Sequence, residues 1–125
     1  KMQNFNSKPK TDLKQRCFEF SLKVIRLTDD LPNKRSAWII ADQLIRAACS
    51  IGANLVEARG SSSRLEFKKY CEISLKSANE TQYWLALLRD TKISSAAFVD
   101  PLLKEAEELT KMLAAGVIKL KSRQF

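Results

Sequence analysis

The sequence predicts an all-α chain folded as an antiparallel up-down-up-down four-helix bundle. Apolar residues recur at steps of three and four in four long stretches. The breaks between the stretches are short, and the 125 residues include only three Gly and three Pro, too few for the many turns of a sandwich or barrel. A chain of this length buries roughly two-thirds of its unfolded surface around one core. We therefore divide it into a polar N-terminal arm over residues 1–10 and a bundle over 11–125.

The first helix is expected from Thr11, whose hydroxyl can cap it, to about Thr28, with Leu13, Cys17, Phe18, Leu22, Ile25 and Leu27 as its apolar positions. Asp29, Asp30 and the Leu31-Pro32-Asn33 link end it. The second runs from about Asn33 to Arg59 and stops at Gly60, a residue able to take the left-handed conformation beyond a helix end. Its apolar residues, among them Trp38, Ile39, Leu44, Ile45, Ile51 and Val56, cover more of the circumference than one core needs. Such a helix wants a second partner surface. Ser63 and Glu66 match a capping box for a third helix extending to about Arg89. Pro101 is placed in the first turn of the fourth, where its missing N–H costs nothing.

Charge and chemistry narrow the function. The 22 Lys and Arg against 14 Asp and Glu leave a net charge of +8, favouring polyanionic partners, RNA or DNA. With no histidine in the chain, the commonest general base and metal ligand is missing, along with any Ser-His-Asp arrangement. The three glycines are too scattered for a phosphate-cradling loop. We expect no catalytic residues, no metal and no cofactor. Cys17, Cys49 and Cys71 are odd in number and irregular in spacing, which predicts reduced core residues. No apolar run approaches the roughly 18 residues of a membrane span, and the polar Lys1–Lys14 stretch does not resemble a signal peptide. A cytoplasmic protein is expected.

Two residue sets stand out. Arg46, Ser50, Asn54 and Glu57 lie at steps of four, four and three on the second helix, one polar stripe across its apolar surface. Buried polar groups need partners, and Glu80 on the third helix, near Ser77 and Thr81, is the expected partner of Arg46 in a network that fixes register and assembly. Arg35, Arg59, Arg64, Lys68, Lys69 and Lys76 gather around the second and third helices as candidate phosphate contacts. Tyr70, Tyr83 and Trp84, spaced among Leu and Ile, are expected in the core rather than as base-stacking platforms.

Specific motifs add a family. Leu27-Thr28 with Leu31-Pro32, Gln43-Leu44-Ile45-Arg46-Ala47-Ala48 with Ser50-Ile51 and Asn54, and Lys76-Ser77-Ala78-Asn79-Glu80-Thr81 carry the likeness, together with Ser63, Glu66, Phe67, Tyr70 and Ile73. This stretch resembles the bacterial four-helix-bundle family that includes proteins encoded by 23S rRNA intervening sequences and the accessory variability determinant (Avd) of diversity-generating retroelements. Gly52 departs from the pattern, standing where many members have Pro. The resemblance implies a homo-oligomer, a barrel-like pentamer among the retroelement members, whose basic surface binds nucleic acid and a reverse transcriptase. The function expected is a non-enzymatic oligomeric scaffold for RNA or DNA. The alternative is a protein-interaction adaptor whose charge serves only solubility.

Overall fold

The computed structural model describes residues 12–122, and the arm assigned to 1–10 and the cap assigned to Thr11 lie outside the described residues. Four helices follow one another: α1 (Leu13–Asp29), α2 (Arg35–Arg59), α3 (Arg64–Asp90) and α4 (Ala96–Ser122). Among the described residues there is no strand.

The helix ends show which local signals decide. Asp12, not Thr11, caps α1, its carboxylate accepting the Gln15 N–H at 3.2 Å. Ser63 caps α3 by accepting from the Glu66 N–H at 3.1 Å, and Glu66 Oε1 accepts in return from the Ser62 N–H at 2.8 Å. The reciprocal bond of the box is present but reaches one residue further back. Gly60 ends α2 at φ −87°, so no left-handed turn is formed. Instead the Ser61 hydroxyl donates to the Ala58 carbonyl at 2.6 Å, and the Gly60 N–H donates to Glu57 O at 3.1 Å. The one left-handed non-glycine residue among those described is Lys92, φ 63°, just beyond α3.

The fourth helix starts five residues before Pro101, which therefore stands inside it rather than in its first turn. The Ser95 carbonyl accepts from the Phe98 and Val99 N–H groups and opens the helix. Pro101 has no N–H for the Ala97 carbonyl. Both residues are exposed, so water can serve that oxygen.

Side-chain pairs set the antiparallel registers. Arg16 of α1 reaches Glu105 and Glu108 of α4 at 2.6 and 2.8 Å. Gln82 of α3 donates to Thr110 of α4 at 2.7 Å, and Ser77 of α3 donates to Ser50 of α2 at 2.8 Å. The core enclosed by the helices holds Phe20, Val24, Leu44, Ile51, Leu85, Leu88, Val99 and Leu109, all essentially sealed from solvent.

The inward face of α1 is Cys17, Phe20, Val24 and Leu27. Phe18, Leu22 and Ile25, which have an equally helical spacing, form a second stripe exposed on the outside. Periodicity alone cannot choose between two apolar stripes on one helix. Of the three cysteines only Cys17 is fully buried, while Cys49 and Cys71 are half-buried, and all three are free thiols. Tyr83 is exposed and Trp84 only half-buried; the two meet edge to face at 5.0 Å. The expected aromatic core residues thus sit partly on the surface.

The tightest seam is α2 against α3. Ala47, Ala48 and Ile51 face Ser74, Ser77, Ala78 and Thr81, every one buried. The Ser74 hydroxyl donates across the seam to the Ile51 backbone carbonyl at 2.7 Å, which requires the two backbones to lie close. Small side chains permit that approach. Around the α1 side of α2, a Cβ added at Gly52 would lie 3.2 Å from Cys17 Cβ, so glycine there allows α1 to settle against an unbroken α2.

By length and composition α2 is apolar enough to cross a membrane, although Asp42 and Arg46 interrupt the run and hid this from the sequence reading. Only 22% of its most apolar stretch is buried in the fold. The bundle uses the face built on Leu44, Ala48 and Ile51 and leaves Trp38, Ile39 and Val56 exposed.

The seam makes a graded prediction. Ser74→Ala should lower the unfolding free energy by about 1 kcal/mol, the worth of one hydrogen bond whose acceptor keeps its helical partner. Ser74→Leu should cost about 3 kcal/mol by forcing the helices apart. Urea unfolding of both variants checks the order.

Candidate nucleic-acid interface

The four helices give the bundle two poles. At the upper pole α1 begins, α2 ends, α3 begins and α4 ends; at the lower pole lie the α1–α2 and α3–α4 links. The cationic residues expected to contact phosphate do not form one cluster. Arg59, Arg64, Lys68 and Lys69 come together at the upper pole, on either side of the α2–α3 turn. Lys76 lies on the same exposed side of α3 as Lys69, two turns further down. Arg35 opens α2 at the lower pole, roughly 36 Å from Arg59 at 1.5 Å per residue.

Lys119 and Lys121, in the last turn of α4, join the upper group. The 3.7 Å approach of Lys121 Nζ to Glu72 Oε2 on α3 fixes their place beside Lys68 and Lys69. The sequence reading missed them because they are about fifty residues away in the chain, and only the antiparallel return of α4 unites them. Lys1, Lys8, Lys10 and Arg123 lie outside the described residues. With no acidic residue in 1–11 or 123–125, those four account for half of the net charge.

Not every cation at this end is available. Arg16 is held by Glu105 and Glu108, its Nε donating to Glu105 Oε2 at 3.0 Å. Those hydrogen bonds, to Glu105 first, raise its pKa further above the ordinary arginine value. At the lower pole Arg89 is likewise engaged, by Asp90 at 2.9 Å and Asp100 at 3.1 Å, and its proximity lowers the Asp90 pKa. The lower pole thus mixes signs, with Asp29, Asp30, Asp90 and Asp100 among its cations.

The polar stripe on α2 is only half as described by sequence. Asn54 Nδ2 donates to Ser50 Oγ and to the Ser50 carbonyl, both at 2.8 Å, and Ser77 completes the link to α3. Arg46 and Glu80 do not meet, although the Ser50–Ser77 register brings their positions level. Arg46 pairs loosely with Asp42 at 3.5 Å and its side chain is 74% exposed. Glu80 accepts from Trp84 Nε1 at 2.9 Å. At 100° per residue Arg46 is rotated about 40° from Ser50, away from the seam, and a solvated charge needs no buried partner. Glu57 is exposed too. The polar set of the seam is therefore the buried Ser74, Ser77 and Thr81 with the half-buried Ser50 and Asn54, hydroxyls and an amide rather than an ion pair.

The described residues contain no group of three or more His, Cys, Asp or Glu placed to hold a metal. Burial pushes the Cys17 thiol up to about 12, far from the reactive range of a nucleophilic cysteine.

Residues 9–115 match the family described as 23S rRNA-intervening sequence protein. The chain belongs to that family. A crystal structure of a protein with unknown function from the S23 ribosomal protein family of Bacteroides thetaiotaomicron VPI-5482 is 32% identical, with a TM-score of 0.78 over 84% of this chain and 97% of that one. No curated protein matches the chain. For this intervening-sequence family member the four-helix architecture is thus shared with a solved relative.

The corrected polar map has a direct consequence. Arg46→Ala and Glu80→Ala should each leave the thermal midpoint near that of the parent, within about 0.5 kcal/mol. Asn54→Leu, which strips the Ser50 hydroxyl of a donor at a half-buried seam, should cost about 1–2 kcal/mol. Thermal denaturation followed by circular dichroism measures all three.

Proposed function

We propose that this protein is a non-enzymatic, homo-oligomeric scaffold that binds the phosphate backbone of RNA or DNA through its upper pole. The observation supporting this reading is the convergence there of Arg59, Arg64, Lys68, Lys69, Lys119 and Lys121 from three helices. Cationic side chains drawn from several helices at one end of the bundle suit a phosphate track and read no bases. The family's name links its members to an rRNA insertion, and the likeness to retroelement determinants extends the reading to an accessory of a nucleic-acid enzyme such as a reverse transcriptase.

Assembly is the second part of the proposal. Phe18, Leu22 and Ile25 on α1 and Trp38, Ile45 and Val56 on α2 form two apolar stripes flanking the seam marked by Gly52 and Cys17. Trp38, large and 60% exposed, is the kind of residue that anchors interfaces. A second copy of this chain is the occupant we assign to the face, closing into the pentamer that the family resemblance implies. Symmetry would then repeat the basic pole around a ring.

Six phosphates neutralised per site give a slope of log K against log salt of about −5 for duplex and −4 for single strands. Reversing Arg64, Lys68 and Lys69 to Glu should flatten the slope and weaken all sequences alike, as fluorescence anisotropy would show. Absence of any complex at low salt overturns the reading in favour of a protein-binding adaptor. Separately, the parent should sediment as a multiple of its 14.2 kDa chain, and Trp38→Glu with Val56→Glu should sediment as folded monomer. A monomeric parent at micromolar concentration removes the assembly claim.

A further inference from the structure

A second site lies at the other pole. Between the C-terminal half of α1, the α3–α4 link and the first turns of α4 is a cavity of about 560 Å³, open to solvent, within the range of small-ligand sites. Its floor is Leu27 and Leu102, both buried, and one wall is the Phe98 ring, 67% exposed with nothing stacked on it among the described residues. Lys23 and Arg26 stand three apart on α1 along its rim, and neither enters an ion pair among the described residues.

Ser94 supplies the most pointed detail. The residue is about nine-tenths buried and lines the cavity, and its backbone N–H is spent on Leu88 O at 3.0 Å. Its side chain lines the cavity, where the hydroxyl can donate to or accept from a ligand that enters. Beside it begins α4, a 27-residue helix whose first N–H groups and positive end favour an anion.

An exposed aromatic face, two unpaired cations, a donor at a helix start and an apolar floor together describe a flat ring that carries a negative charge. We infer that this cavity binds a nucleoside phosphate, its base stacked on Phe98 and its phosphate held by Lys23, Arg26 and the α4 start. Asp30, the one carboxylate on the rim, repels a phosphate placed against it but accepts a hydrogen bond from an exocyclic amine of a base. The same chemistry is offered by a free nucleotide and by one unstacked nucleotide of a single strand.

The site does not depend on the upper pole, so the two can fail separately. Calorimetric titration with adenosine 5′-monophosphate, and with a four-nucleotide RNA, is run on the parent, Phe98→Ala, Phe98→Trp and the pair Lys23→Glu with Arg26→Glu. Phe98 is exposed enough for its truncation to leave the fold intact, which a melting curve verifies. The expected result is saturable binding tighter than about 1 mM, weakened at least about fivefold in Phe98→Ala, retained in Phe98→Trp and lost in the charge-reversed pair. Binding of the mononucleotide identifies a free nucleotide as ligand; binding of the tetranucleotide alone, with the same dependence on Phe98, identifies a strand. No binding of either probe, or binding indifferent to Phe98→Ala, overturns the inference. Retention of mononucleotide binding when Arg64, Lys68 and Lys69 are reversed leaves this site standing whatever happens to the upper pole.

Discussion

The close approach of α2 to α3 is the constraint from which the rest of the molecule follows. A hydroxyl on one helix can donate to a backbone carbonyl of the other, as Ser74 does to Ile51, only if the side chains between them are small. Alanines and serines meet that condition, but they bury little apolar area. The large residues that give the core its hydrophobic stabilisation are displaced toward the bundle axis, where Leu44, Leu85, Leu88 and Leu109 meet Phe20 and Val24. What remains on α2, including Trp38 and Val56, has no place inside.

Much of this architecture was legible in the chain. Helix number, order and approximate ends followed from spacing and from Ser63, Glu66 and the Leu31-Pro32 link, because those signals act within one turn. Errors arose where a choice depended on another helix. Phe18, Leu22 and Ile25 read as core because their spacing is as regular as that of Phe20, Val24 and Leu27, and only packing decides which stripe turns inward. Pro101 misled for a local reason: proline is favoured at a helix start, yet Val99 and Leu102 needed burial, and that gain extended α4 backward past it.

The candidate sites show the same division. The Ser50–Asn54 part of the polar stripe was readable because both residues sit on one helix, four apart. The Arg46–Glu80 pair was not, since a rotation of some 40° about the helix axis separates a buried position from a solvated one. Lys119 and Lys121 joined the basic pole only through chain return, as did the union of Lys23, Arg26, Ser94 and Phe98 at the lower one. Charge is thus distributed unevenly among the described residues: cations outnumber carboxylates where α2 ends and α3 begins, while the opposite pole mixes signs around a cavity.

Cys17 draws a last consequence from the fit between α1 and α2. Its thiol is sealed beneath Gly52, and burial holds it protonated at neutral pH. A reagent that needs the thiolate can reach it only when α1 lifts away from α2, whereas Cys49 and Cys71 are half-buried in the closed bundle. The chain therefore contains its own clock for helix opening: the slow phase of its alkylation counts the moments when the first helix is detached.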